Sequence, residues 1–283
     1  MGLKLQRRQS IRVPAVDQKM SAVMRAESWM DTSFLQSLSA GLVSIPPFDS
    51  LWLRRQKRGK KSLIDFACQK LQIRSFADLG GVWGVDGEYT LYAMEAHNVK
   101  NACLVDIGFT EAVVQKQKEY PTLKLIRGNF GDPEIARQIG VVDAVILFDV
   151  LLHQVNPNWD RILELYAPRT GCFLIFNPQY TATESTVRLL DLGEEEYFRN
   201  IPHSKAEETY REVFEKMYEI HPRPQYQQRR IYRDIHDIWQ WGIVDRDLVE
   251  KMKSLGFSMR YARSHGKFNH LPNFENRAFA FCK

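Results

Sequence analysis

The 283-residue chain has no apolar run approaching the ~18 residues of a membrane span. Its basic N-terminus, Met1 to Ser10, has no apolar signal core behind it. From these absences neither a spanning helix nor a secretory leader is expected, and a cytoplasmic protein with no membrane partner is. Cysteine is scarce: Cys68, Cys103, Cys172 and Cys282 lie far apart, and three sit in apolar helix or strand patterns. They read as buried free thiols of a reducing compartment, not as a zinc or disulfide framework. No Gly-Lys-Ser/Thr occurs, which removes a P-loop. No glycine triplet has the Gly-x-Gly-x-x-Gly spacing of a nicotinamide-dinucleotide turn. Histidines and acids do not recur at ligand spacing on any recognisable element, so no metal is expected.

What is present is an apolar fraction of 44% with 26% charged residues, enough for one α/β domain with additions or two modest domains. The net charge of +5 is clustered. Residues 54–61, Arg-Arg-Gln-Lys-Arg-Gly-Lys-Lys, are nearly all cationic. The plain reading is a solvated linker or helix start. The alternative is a contact for an anionic substrate or nucleic acid, although no aromatic residue interleaves the run to stack on bases.

Along the chain, Pro14, Pro46 and Pro47 break the first 50 residues, with a helix expected near Val16 to Leu38. Ile64, Ala67, Cys68 and Leu71 mark an amphipathic helix over 61–71. From residue 75, strand-like runs at 75–79, 101–107, 123–127, 142–149 and 171–176 alternate with helical stretches at 86–97, 110–119, 133–139 and 157–167. Such alternation with short connections implies a parallel sheet covered by helices on both faces. Residues 181–241 interrupt it with no convincing strand, and Tyr210, Val213, Phe214 and Met217 fall at helical spacing. A helix over 245–255, with Asp245 as an acidic cap and Gly256 as its stop, and strands at 257–262 and 277–282 close the chain.

The polar residues that carry chemistry fall at strand ends, where open parallel sheets bind ligands. Asp78-Leu79-Gly80-Gly81-Val82-Trp83-Gly84 follows the first strand. Asp106 ends the second, Asn129 follows the third, Asp149 and His153 the fourth, and Asn177 to Tyr180 the fifth. Acid and glycine-rich turn together suggest close approach to a nucleoside.

This constellation resembles the class I S-adenosylmethionine-dependent methyltransferases over about residues 75–180 and again over 243–283. The resemblance implies an α/β fold: a doubly wound, mostly parallel seven-stranded sheet with an antiparallel last strand. It implies a cofactor domain over 71–180 and 242–283, an N-terminal helical segment over 1–70 and a helical lid over 181–241. Asp78, Gly80, Gly81, Trp83 and Gly84 would form the cofactor loop, with Val82 standing where the family usually has glycine. Asp106 would accept from both ribose hydroxyls, with Ile107 beside it. Asn129 and Phe130 would hold the adenine, with Asp132 a nearby substitute, and Asp149 would lie beside the methionine moiety.

Methyl transfer needs orientation and, for an oxygen acceptor, a base; His153 with Asp149 is the candidate pair. The acceptor is expected to be a small molecule methylated on oxygen or nitrogen. It would be held by Tyr180, by Arg229, His236, Trp239 and Trp241 of the insertion with Tyr226 nearby, and by His270. A tRNA or other nucleic-acid acceptor is the alternative, and a non-catalytic S-adenosylmethionine-binding module is another. The oligomeric state is open, with a homodimer one option.

Overall fold

Seven strands form one sheet in the order 123–127, 101–106, 75–79, 142–148, 170–180, 271–282 and 258–268, so the strand order reverses between 75–79 and 142–148. The computed structural model describes residues 47–223, 229–268 and 270–283, with the backbone alone at 47–50. The helix expected over Val16–Leu38, and Tyr226, lie outside the described residues. Leu51–Lys283 packs as one unit.

The chain enters through α1 (Pro47–Lys70) and β1 (Ser75–Leu79), then continues with α2 (Glu88–His97) and β2 (Asn101–Asp106). Next come α3 (Glu111–Glu119), β3 (Leu123–Arg127), α4 (Pro133–Ile139), β4 (Val142–Phe148), α5 (Trp159–Tyr166) and β5 (Thr170–Tyr180). β1 to β5 pair in parallel, β9 (Leu271–Cys282) runs antiparallel to β5, and β8 (Ser258–Phe268) antiparallel to β9. α7 (Asp245–Ser254) precedes β8.

The central strands are apolar on both faces because helices cover both. In β4, Ala144, Val145, Ile146 and Leu147 are all buried. One face packs on α4, α5 and α7, where Trp159, Ile162, Leu163 and Tyr166 form the buried stripe of α5. The other packs on α1 and α2 through Leu63, Ile64, Ala67, Tyr89 and Ala93. Each of the larger aliphatic side chains contributes roughly 1.5–3 kcal/mol on burial. The edge strand β8 is mostly exposed and carries Arg260, Arg263 and Lys267 with register shifts, features that blunt an open edge.

Several expectations change. α1 starts at Pro47, not near residue 61, so the basic run is helical and not a linker. Cys172 and Cys282 are not free thiols: the β5–β9 register sets them opposite each other, Cα atoms 4.2 Å apart, and a disulfide joins them. Their separation of 110 residues hides the pairing from sequence spacing. Cys68 and Cys103 remain free, Cys103 only half-buried. Asp245 does not cap α7. Val244 is the cap residue, and Asp245 turns its carboxylate to Arg277. Gly256, at φ +83°, does end that helix.

The insertion is less helical than its spacing implies. It holds a short α6 (Glu194–Arg199) and two 3-10 turns, and the 210–217 stretch is a succession of turns. It also holds a strand pair, β6 (Val187–Arg188) with β7 (Trp241–Gly242). Tyr210, Val213, Phe214 and Met217 instead join a separate apolar cluster with Tyr197, Trp239 and Phe274. Burial against tertiary neighbours, not helix formation, explains their pattern.

Candidate active site

The β1 loop is shaped by close approach to Asp78. That carboxylate is buried, accepts a hydrogen bond from the Thr90 hydroxyl at 2.7 Å, and sits directly beneath Gly81. A Cβ at Gly81 would collide with both carboxylate oxygens, so glycine is required for space. Gly80 and Gly84 are required for conformation, at φ +76° and +68°. Val82 needs neither: its side chain is buried in the α1–α2 core, and its carbonyl accepts from the amides of Val85 and Asp86. Burial pushes the Asp78 carboxyl up to about 6, the Thr90 hydrogen bond opposing it.

Asp106 stands on the adjoining strand end. Its Oδ2 accepts from the Val82 amide at 3.1 Å and its Oδ1 from the Ile107 amide at 2.8 Å. Burial raises its pKa, opposed by these amide hydrogen bonds. Trp83 of the loop and Ile107, the next residue along the chain, are 71% and 72% exposed. Asn129 uses its side-chain oxygen to accept from the Gly131 amide at 2.8 Å, which leaves its NH₂ as the group able to meet a ligand. Phe130 is half-buried, its carbonyl held by the Tyr166 hydroxyl, and Asp132 caps α4.

After β4, Asp149 adopts φ +56°, a left-handed conformation uncommon away from glycine. Its Oδ2 pairs with Lys60 Nζ at 2.5 Å. The Lys60 ammonium is buried and also lies over the rings of Tyr89 and Phe176, at 5.1 and 5.4 Å. Asp149 Oδ1 is buried with no partner.

His153 ends the following 3-10 turn. Its Nδ1 lies 2.9 Å from the Ile238 carbonyl, which only accepts, so Nδ1 carries the proton. Burial lowers its pKa, with that hydrogen bond and Asp149 opposing. The neutral ring therefore keeps a lone pair on Nε2. The insertion fixes this turn by further bonds: Gln240 N to the Leu152 carbonyl at 3.0 Å, Trp241 Nε1 to the Gln154 carbonyl at 2.6 Å, and Arg230 to the Val155 carbonyl at 2.9 Å.

Of the residues expected to hold an acceptor, the fold gathers some around His153 and sets others apart. The Trp239 ring is 6.5 Å from His153. His236 lies beside His153, and burial pushes its pKa down to about 4. Tyr180 is buried against Phe274, in the same cluster as Trp239. Arg229 and His270 stand on exposed turns.

Lys60 escaped the sequence reading although a signal existed. Extending the apolar stripe of Leu63, Ile64 and Ala67 back by one and two turns puts Lys60 and Gln56 on the buried face. Among the described residues no group of three or more His, Cys, Asp or Glu is placed to hold a metal ion. No described helix is long and apolar enough to cross a membrane.

No protein-family model matches the chain, and no curated protein does. Solved structures match the fold. Magnesium protoporphyrin IX methyltransferase from Synechocystis PCC 6803, with S-adenosylhomocysteine bound, superposes with a TM-score of 0.52 at 11% identity, over 93% of this chain and 100% of that one. The 1,6-didemethyltoxoflavin-N1-methyltransferase of Burkholderia thailandensis, bound to 1,6-didemethyltoxoflavin and S-adenosylhomocysteine, gives 0.50 at 13% identity, over 96% and 93%. An O-methyltransferase family protein from the same organism gives 0.44 at 13% identity, over 78% of this chain and 55% of that one. The chain has the Rossmann-like fold of the class I methyltransferases.

Proposed function

We propose that this protein is an S-adenosylmethionine-dependent methyltransferase acting on oxygen or nitrogen of a small molecule. The observation that carries the proposal is the β1–β2 rim, where a loop moulded onto Asp78 bonds the Asp106 carboxylate through the Val82 amide, with Trp83 of that loop and Ile107 next to Asp106 both exposed. A nucleoside fits that arrangement: vicinal hydroxyls suit paired carboxylate oxygens, and a purine covers apolar surface that is otherwise left to water. Residues 71–180 and 242–283 would hold the cofactor, while 181–241 would cover the acceptor.

When bound, S-adenosylmethionine supplies an electrophilic methyl carbon, so the protein's task is orientation. Asp106 would fix the ribose, with Gly80, Gly81 and Gly84 letting the backbone come close. Asn129 would donate to the adenine edge while Phe130 packs on the ring. Asp149, held by Lys60, would face the methionine end. His153, neutral at pH 7, would take the acceptor's proton at Nε2, its Nδ1–H being held by Ile238. Location in the cytoplasm belongs to the same proposal; the free thiols Cys68 and Cys103 agree with it, while the Cys172–Cys282 disulfide is unusual for a reducing compartment.

Isothermal calorimetry with S-adenosylhomocysteine tests the proposal. Saturable 1:1 binding that is weakened by D106A is the expected result; absence of any binding by the wild type overturns it.

A further inference from the structure

α1 divides its cations among three faces. Lys57 and Lys61, one turn apart, both pair with Glu88 at 2.7 and 2.9 Å. Lys60 lies on the buried face with Asp149. Arg55 and Arg58 form a third row with Ser62 and face β8. There, with Gly59, Arg263, Ser264 and His265, they line a groove of about 200 Å³.

The groove's composition is lopsided. Arg55, Arg58 and Arg263 are exposed and have no carboxylate partner among the described residues, whereas Arg277 on β9 pairs with Asp245 and Glu275. Arg55 lies against Gly266, where a Cβ would come within 3.1 Å of its guanidinium. Ser264 is engaged with Glu275, whose charge Arg277 balances. The floor is His265, a buried ring whose Nε2 has no partner and whose pKa is lowered by burial and by Arg263 and Arg55. On the next row of α1, Gln56 is buried with neither amide atom bonded. Three like charges gathered at the surface repel one another modestly, and an anion bound among them would relieve that repulsion.

We infer that this groove is an oxyanion subsite that takes the phosphomonoester of the methyl acceptor. Three guanidinium forks and the Ser62 hydroxyl offer more donors than two carboxylate oxygens accept, and they suit the three terminal oxygens of a phosphate. The volume holds one such group and not a nucleic-acid strand. The groove adjoins the reaction rim: His265 lies 5.3 Å from the Phe176 ring, which also carries the Lys60 ammonium paired with Asp149. Trp52, one turn before Arg55 and Gln56, begins a line of rings through Phe268 and Trp239 to His153, with centroid spacings of 4.8, 5.3 and 6.5 Å. That the ligand is a methyl acceptor rests on the proposed methyltransferase activity; the groove's affinity for phosphate does not.

Phenyl phosphate is the probe, titrated by calorimetry at low and at physiological salt into the full chain and two double variants. R55Q/R263Q should weaken binding roughly 30-fold or more, the scale of two lost charge-assisted contacts. R54Q/R260Q, which removes the same charge outside the groove, should change it less than about twofold, with both variants melting as the wild type does. Equal weakening in both doubles, or no saturable binding, overturns the subsite. So does binding of a short single-stranded RNA that depends on Arg55 and Arg263 while phenyl phosphate does not bind. S-adenosylhomocysteine is titrated in parallel: phosphate binding without it supports the groove and removes the methyltransferase.

Discussion

On the β1–β3 side of the rim, Asp78, Asp106 and Asn129 have their side-chain oxygens engaged by Thr90 and by the amides of Val82, Ile107 and Gly131. On the β4–β5–β9 side, Asp149 Oδ1, Asn177 Oδ1, Asn276 Nδ2, His265 Nε2 and both amide atoms of Gln56 and Gln179 are buried without partners among the described residues. Each such group costs about 1–3 kcal/mol if left unmatched. The first side is thus satisfied by neighbouring amides and the Thr90 hydroxyl, which suits the nucleoside contact proposed there. The second leaves donors and acceptors that no described residue meets.

Four measurements sharpen or break this contrast. H153A should lower kcat roughly 10²–10⁴-fold, the range for a lost general base, with S-adenosylhomocysteine affinity changed less than about twofold. A proportional loss of cofactor binding would place His153 on the cofactor side. Because protonation removes the Nε2 lone pair and His153 titrates below the usual histidine value, kcat/KM should fall on the acid side with an inflection under 6.5.

D106A should weaken S-adenosylhomocysteine by about 100-fold, since hydrogen bonds to a charged group contribute about 1.5–3 kcal/mol each. H153A and D106A affecting the same parameter would merge the two halves of the rim.

D78N tests the buried acid. With its carboxyl at about 6 in the fold against 3.8 in the unfolded chain, the folded state binds the extra proton between these values. Wild-type stability from this group is thus present below pH 4 and lost as pH rises through 6. Relative to wild type, D78N should gain about 3 kcal/mol between pH 4 and 7, at ~1.4 kcal/mol per pKa unit. The contribution of His236, of opposite sign, is common to both proteins and cancels. A pH-independent difference in chemical denaturation would contradict the burial argument.

The smallest effects separate the glycines. G81A, which drives a methyl into the Asp78 carboxylate, should cost about 1–3 kcal/mol. G84A meets open space and carries only the backbone penalty of φ +68°, about 1 kcal/mol. Equal losses would mean that conformation alone, and not contact with Asp78, selects glycine in the loop.

What the sequence alone determined is whatever short-range pattern dictates. Two-sided apolar runs specified the parallel strands, the 3.6-residue stripe of Trp159, Ile162, Leu163 and Tyr166 specified α5, and acids at strand ends located the rim. These signals lie within a few residues of one another, and hydrophobic burial enforces them wherever the segment sits. Only the tertiary structure decided the pairings: Lys60 with Asp149 across 89 positions, Cys172 with Cys282 across 110, and Arg55 and Arg58 with Arg263. It also decided that Tyr210 to Met217 form turns packed on Tyr197, because burial there came from neighbours distant in the chain. A charge or a thiol shows its chemistry in the sequence, but its partner is fixed by strand register and helix rotation, which depend on the whole core.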